Sequence, residues 1–272
     1  MAILAEYHRP KTLTDALELL ADRTSRRLPL AGGTSLVGSL ETRQRRDVDG
    51  VVDLAALDLS YIQDVDSNLR VGAMTTFTDL VEHPLCSPLA SGILPATARF
   101  EGPQNLRNAA TVGGLVALAE PDSELFAGLL ALNATVVAVD KDGVESHCQL
   151  DDFATSHPRV PGQPLLITEI RLPLGHTAAG HARIARTPMD RCIVAAVVVD
   201  PANGETSQSS PASGANGVIT TRTALCGVGP RPQLAGGPLA PVGDFKGSAE
   251  YRLAMAEVVG RRAQAAATGA LQ

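Results

Sequence analysis

The sequence predicts an α+β fold. Capped segments with an apolar face read as helices, short runs rich in Val, Leu and Ile read as strands, and the two kinds mix along the chain without an internal repeat. The 272 residues are 44% hydrophobic and 19% charged, enough apolar mass for a sizeable core. Aromatics are only 3% and Trp is absent, so Ala, Val, Leu and Ile must build that core. At about 100–200 residues per domain, the length suits one large domain or two modest ones.

Thr12 to Asp15 cap a first helix whose apolar face is Ala16, Leu17, Leu19 and Leu20. Residues 26–31 read as a short strand running into Gly32-Gly33-Thr34-Ser35, and residues 51–54 as a second strand. Residues 61–65 and 69–72 read as a hairpin turned at Asp66-Ser67-Asn68. A helix from Thr78 is stopped by Pro84, and another follows around Pro95. Residues 105–118 read as a loop containing Gly113-Gly114, followed by a helix over 125–132, a strand over 134–140 and a turn at Asp142-Gly143. Asp151-Asp152 reads as a turn before Phe153. Strands are expected from Leu165, over 191–199 and over 219–228, with the Ser/Gly/Pro tract 201–217 read as a mobile hairpin loop. An Ala/Arg-rich amphipathic helix over 248–267 ends the series, and the composition shift near Pro161–Pro173 marks the best domain boundary.

Composition narrows the function classes. With 23 basic against 29 acidic residues and no basic face, counterion release offers little drive for nucleic-acid binding. Cys86, Cys148, Cys192 and Cys226 are far apart in sequence and form no C-x-x-C pair, which excludes zinc ribbons and iron–sulfur loops in this chain. Free thiols, an early run of Glu6, His8, Arg9 and Lys11, and an apolar stretch too short to span a bilayer read as a cytoplasmic protein.

The two glycine pairs carry the chemistry. A diphosphate needs several backbone N–H groups aimed at one anion, and a Cβ hinders that approach. Ala31-Gly32-Gly33-Thr34-Ser35-Leu36 offers such a nest at a strand end, without the spacing of a dinucleotide-binding turn or an NTP-hydrolysing loop. Ala110-Thr111-Val112-Gly113-Gly114 is placed to meet the same ligand from another side. Either pair alone reads more simply as a tight turn.

The runs LAGGTSLVGSL, NLRNAATVGG and DFKGSAEYRLAMAEVVGRRA, taken together, resemble the FAD-binding medium subunit of molybdenum hydroxylases. That family includes aerobic carbon monoxide dehydrogenase, nicotine and quinoline dehydrogenases and the flavin portion of xanthine dehydrogenase. Tyr7-His8-Arg9-Pro10, Val52-Asp53-Leu54, residues 71–76 and Gly227-Val228-Gly229-Pro230 match in order, so the resemblance covers essentially the whole chain.

The resemblance implies a flavin fold of the vanillyl-alcohol-oxidase type. A two-part FAD domain would span 1–173, in subdomains of roughly 1–55 and 56–173, followed by an α+β domain over 174–272 with a three-stranded sheet. It places the pyrophosphate loop on Ala31, Gly32, Gly33, Thr34, Ser35 and Leu36, and the second loop on Ala110, Thr111, Gly113 and Gly114. It also assigns Thr76, Glu124 on ribityl or ribose hydroxyls, Leu166 through its backbone, and Arg183 where a Lys near the flavin is usual, a cation that would favour reduced flavin. Leu115 replaces an Asn, Glu124 an Asp, and His181 a common aromatic, while the stretch from Pro230 to Ser248 is shorter than the family's. Thr34 stands where histidyl-linked relatives carry the linking His, so the FAD is expected to be non-covalent.

The implied role is electron transfer. A large partner subunit would hold the molybdenum cofactor, a small partner two [2Fe–2S] clusters, and FAD here would hand electrons to NAD⁺, a quinone or oxygen, within a dimer of heterotrimers. The alternatives are a stand-alone flavoprotein oxidoreductase, with His157, His176 or His181 as base, and a flavin-free structural subunit.

Overall fold

The structure is a computed structural model that describes residues 4–156, 164–200 and 221–269. The tract 201–217, the start of the strand expected from Ile219, and His157 lie outside the described residues.

The first layer comprises β1 (Glu6–His8), α1 (Leu13–Ala21), β2 (Arg27–Leu30), α2 (Leu36–Glu41) and β3 (Gly50–Asp53). β3 lies between β1 and β2, parallel to both. Thr12 caps α1 by accepting the Asp15 amide, and Ala16 and Leu17 bury against Val52 and Leu54. Arg27 binds Glu6 at 2.5 Å and Asp22 at 2.8 Å, stitching both edge strands to the end of α1. The guanidinium holds the Glu6 carboxyl at about 2, and the Thr24 amide with Arg27 does the same for Asp22.

The middle of the chain contains β4 (Ile62–Val65), β5 (Asn68–Gly72), α3 (Phe77–Glu82), α4 (Ile93–Ala98), α5 (Gln104–Arg107), α6 (Val112–Leu118), α7 (Glu124–Ala131), β6 (Thr135–Asp140), β7 (Glu145–Gln149), α8 (Leu150–Ser156) and β8 (Leu165–Pro173). Its strands form an antiparallel sheet in the order β4-β5-β8-β6-β7. The hairpin turns at Asp66 and Ser67, both with positive φ, the backbone a tight two-residue turn requires.

Two expectations are corrected. Residues 105–118 are not one loop, because Thr111 accepts the Gly114 amide and starts α6, so both glycines lie in a helical first turn. A Cβ on Gly113 would sit 2.8 Å from Ala73, so that position is glycine for close packing rather than for a bend. Asp151 and Asp152 likewise lie in the first turn of α8, where carboxylates suit the helix dipole.

The last layer contains β9 (Ala179–Ile184), β10 (Val194–Val199), β11 (Arg222–Cys226), β12 (Gln233–Leu234) and α9 (Ala249–Ala267). The strand expected from Leu165 is β8 of the middle sheet. The last sheet pairs the expected β10 and β11 with β9, which the sequence pattern did not single out, and the two-residue β12 makes it four-stranded and antiparallel, with α9 covering one face. α7 is buried along its whole length and packs between this sheet and α4, so one core runs from the middle sheet into the last. Within it Cys192 and Cys226, distant in sequence, meet as free thiols 3.4 Å apart.

Phe126 is the largest fully buried side chain of that core. Phe126→Ala is expected to cost about 3–5 kcal/mol of stability, read as a lower urea midpoint, and an unchanged midpoint contradicts its placement.

Candidate functional site

β2 ends at Leu30, opposite Asp53 of β3, and the chain turns at once through Gly33, whose φ is +72°. Among the described residues, the amides from Gly32 to Leu36 donate to no protein acceptor, and the Thr34 and Ser35 hydroxyls have no partner. These donors are gathered between the end of β2 and the start of α2. Unpaired N–H groups in a bend form an anion-binding concavity.

The second loop lies directly against the first. A Cβ built on Gly32 would sit 1.7 Å from the Ala109 carbonyl oxygen and 3.1 Å from the Ala110 Cα. Only a residue without a side chain permits that approach. The second loop is itself anchored by backbone pairing: Phe77 donates to Ala110 O at 3.1 Å, Val112 to Thr75 O at 3.0 Å and Gly113 to Ala73 O at 2.8 Å. Segment 73–77 thus fixes the position of 110–113, and Gly32 closes against it.

The two expected threonines differ in what they leave free. Thr76 is spent on a capping box, accepting the Asp79 amide and donating its hydroxyl to the Asp79 carboxylate at 2.7 Å. Thr111 accepts the Gly114 amide at 3.2 Å, and its own proton has no protein acceptor among the described residues. Thr111 is therefore the hydroxyl with a donor to give. Leu166 is buried with Ala16, Leu17, Val52 and Val139, so its side chain belongs to the core and only its backbone is available for a ligand.

Glu124 and Arg183 form a second cluster. Glu124 opens α7 with 1% of its side chain exposed, and Arg183 Nε donates to it at 2.9 Å. The Arg183 guanidinium also donates to the Pro188 and Asp190 carbonyls and lies 4.1 Å above the Phe100 ring. His181 Nε2 lies 2.6 Å from the other Glu124 oxygen without the alignment of a hydrogen bond. The positive charge expected at Arg183 is thus balanced by a buried carboxylate. Phe100 escaped the sequence reading, and its one signal is that a rare aromatic precedes the second loop.

A neighbouring network locks this cluster to the loops. Glu101 accepts Ser123 Oγ and the Leu125 amide, both at 2.8 Å, and Arg191 at 2.9 Å. Arg191 also pairs with Glu120 and Asp122, and Lys246 with Asp122 at 3.0 Å. Burial alone would lower the Arg191 pKa, but these carboxylates outweigh it and hold it above the usual arginine value. The Asp122–Glu124 stretch is therefore saturated by cations of this chain. Arg107 of α5 donates to the Arg99 and Gly102 carbonyls, tying the start of the second loop to the segment carrying Phe100 and Glu101. His176 is buried, with its two ring nitrogens on the Asp200 and Leu132 carbonyls, which makes it a structural latch.

The resemblance implies FAD, and these residues fit its diphosphate: free amides at Gly32 to Leu36, a free Thr111 hydroxyl, and no Cβ where the two bends meet. Among the described residues no helix is long and apolar enough to cross a membrane. The family model for the FAD binding domain in molybdopterin dehydrogenase matches residues 3–175. The carbon monoxide dehydrogenase medium chain of Afipia carboxidovorans is 30% identical, over 95% of this chain and 94% of its own. A chain of reconstituted CO dehydrogenase from Oligotropha carboxidovorans superposes with a TM-score of 0.83 at 27% identity, covering 99% of both chains. A chain of quinoline 2-oxidoreductase from Pseudomonas putida 86 shares the fold, with a TM-score of 0.83 at 24% identity over 100% of both. This chain belongs to the family of FAD-binding domains of molybdopterin dehydrogenases.

Proposed function

We propose that this chain is the flavin-carrying electron-transfer subunit of a molybdenum hydroxylase. It passes electrons from the iron–sulfur clusters of a partner subunit to an external acceptor. The observation that supports the reading is the close approach of Gly32 to Ala109 and Ala110, which sets the two segments side by side where a diphosphate cradle would need them. FAD, when bound, supplies reversible two-electron chemistry, and the protein's part is to hold it, tune it and control access.

In this reading the amides of Gly32 to Leu36 and the Thr111 hydroxyl hold the diphosphate. Ala31, Ala110, Gly113 and Gly114 shape its walls, and Thr76 keeps the second bend in place. Glu124, Arg183 and the Leu166 backbone border the flavin half. Thr34 provides no covalent link, so the FAD is held non-covalently. The relatives' description as medium chains supports a large molybdenum subunit and a small iron–sulfur subunit as partners.

The native complex is expected to purify with flavin absorbance, iron and molybdenum. Acid precipitation should leave all of the flavin in the supernatant, and colour on the precipitate contradicts non-covalent binding. Gly32→Ala must push the bends apart and is expected to weaken FAD binding at least tenfold, read by titration of the flavin-depleted chain. Gly38→Ala in α2 has nothing within 4 Å of its new Cβ. It should leave FAD affinity unchanged and stabilise the helix by about 1 kcal/mol. Equal affinities in the two variants remove the cradle.

Arg183→Gln leaves the Glu124 carboxylate buried without its cation. Near the flavin that change disfavours added electrons and is expected to lower the midpoint potential by about 30 mV, equivalent to about 1.4 kcal/mol for two electrons. Adding Glu124→Gln should restore most of the shift, and an unchanged potential in the single variant ends the role of Arg183.

A further inference from the structure

Two of the matched motifs, Tyr7-His8-Arg9-Pro10 and Val52-Asp53-Leu54, take no part in the site described above, yet the fold brings them together beside it. The Tyr7 hydroxyl donates to Asp53 Oδ2 at 2.5 Å, and Arg9 Nε lies 3.6 Å from the same oxygen. Asp53 is 8% exposed and is fixed from below by the Ala55 amide on its other oxygen at 2.9 Å. Tyr7, in contrast, is 60% exposed, so an aromatic ring tethered at its hydroxyl lies largely open to solvent.

The position of that ring follows from the sheet. β1, β3 and β2 are parallel, and their carboxyl ends carry Tyr7 to Arg9, Asp53 and the free amides of the first bend, in that order. Ligands of parallel sheets sit in the crevice outside these ends. Two strand spacings of about 4.8 Å each separate the first bend from β1. That span is comparable to the reach of a nucleoside from its phosphate to its base. The second bend, and through Arg107 the Phe100–Arg183 cluster, engage the first bend through Gly32. A dinucleotide gripped at its diphosphate between the bends can therefore extend one half toward that cluster and the other across β3 to β1.

We infer that the Tyr7 ring, oriented by Asp53 and flanked by the Arg9 guanidinium, is the stacking platform for the adenine of the bound dinucleotide. The inference rests on the diphosphate cradle proposed above. Adenine presents a flat π-face to the ring, and the tether to Asp53 removes the entropy of ordering it. Asp53 acts as a positioning residue through Tyr7 and touches no ligand atom.

The flavin-depleted full-length chain tests this with FAD and with adenosine diphosphate, which lacks the flavin. Tyr7→Ala is expected to raise the dissociation constants of both about tenfold, whereas Tyr7→Phe, which keeps the ring, should stay within about threefold of the parent. The protein has 3 Tyr and no Trp, so its emission reports tyrosine alone. Adenosine diphosphate should quench part of the wild-type tyrosine emission, and that part should be missing in Tyr7→Phe. Unchanged adenosine diphosphate affinity in Tyr7→Ala, or quenching that persists in Tyr7→Phe, overturns the inference. So does a loss in Tyr7→Phe as large as in Tyr7→Ala, which would leave Tyr7 as a strand tie only. A wild-type chain that binds neither FAD nor adenosine diphosphate overturns the cradle itself.

Discussion

The contact between Gly32 and the Ala109–Ala110 backbone is the constraint on which the rest of the site depends. It is a meeting of main chain with main chain, in which the missing Cβ is the functional feature. Each bend arises from a different layer: the first ends an edge strand of the parallel sheet, and the second leads into a helix packed on the antiparallel one. Their juxtaposition sets the unpaired amides of the first beside the Thr111 hydroxyl of the second. Unpaired backbone donors are costly where no solvent or ligand can reach them, and those at the first bend remain open to both.

Around this contact the protein spends its polar side chains on position. Thr76, Thr111 and Ser123 cap helices that would otherwise fray beside the site. Glu101, Glu124, Arg183 and Arg191 are charges taken out of water, and burial of such groups is tolerated only because each meets opposite charge and further hydrogen bonds. The result ties the N-terminus of α7 to β9 and to the segment before β10. It holds the Phe100 ring under a guanidinium whose charge is already compensated. A cation held in this way acts through orientation as much as through net charge, which separates Arg183 from the more freely solvated ammonium of a lysine.

Local signals were legible where local physics decides. The Thr12 cap and the hairpin at Asp66-Ser67 follow from short-range hydrogen bonding and backbone freedom, and the structure has both. The segment around Gly113 was misread because a Gly pair suggests a bend. What requires glycine there is the approach of Ala73, a residue forty positions away. Asp151-Asp152 misled for a related reason, since paired carboxylates suit a turn and a helix N-terminus alike. Phe100 carried almost no signal, because its role depends on Arg183 arriving from another sheet.

The sequence by itself therefore determined the α+β class, most of the elements, the family resemblance and the amide-rich character of the first bend, because these rest on propensities and patterns within a few residues. Only the tertiary structure decided that Gly32 touches Ala109, that Thr111 rather than Thr76 keeps a proton without an acceptor among the described residues, and that Glu124 neutralises Arg183. These depend on which backbones pack in contact and which buried charges meet, and long-range packing is set by the whole core, not by any stretch of chain.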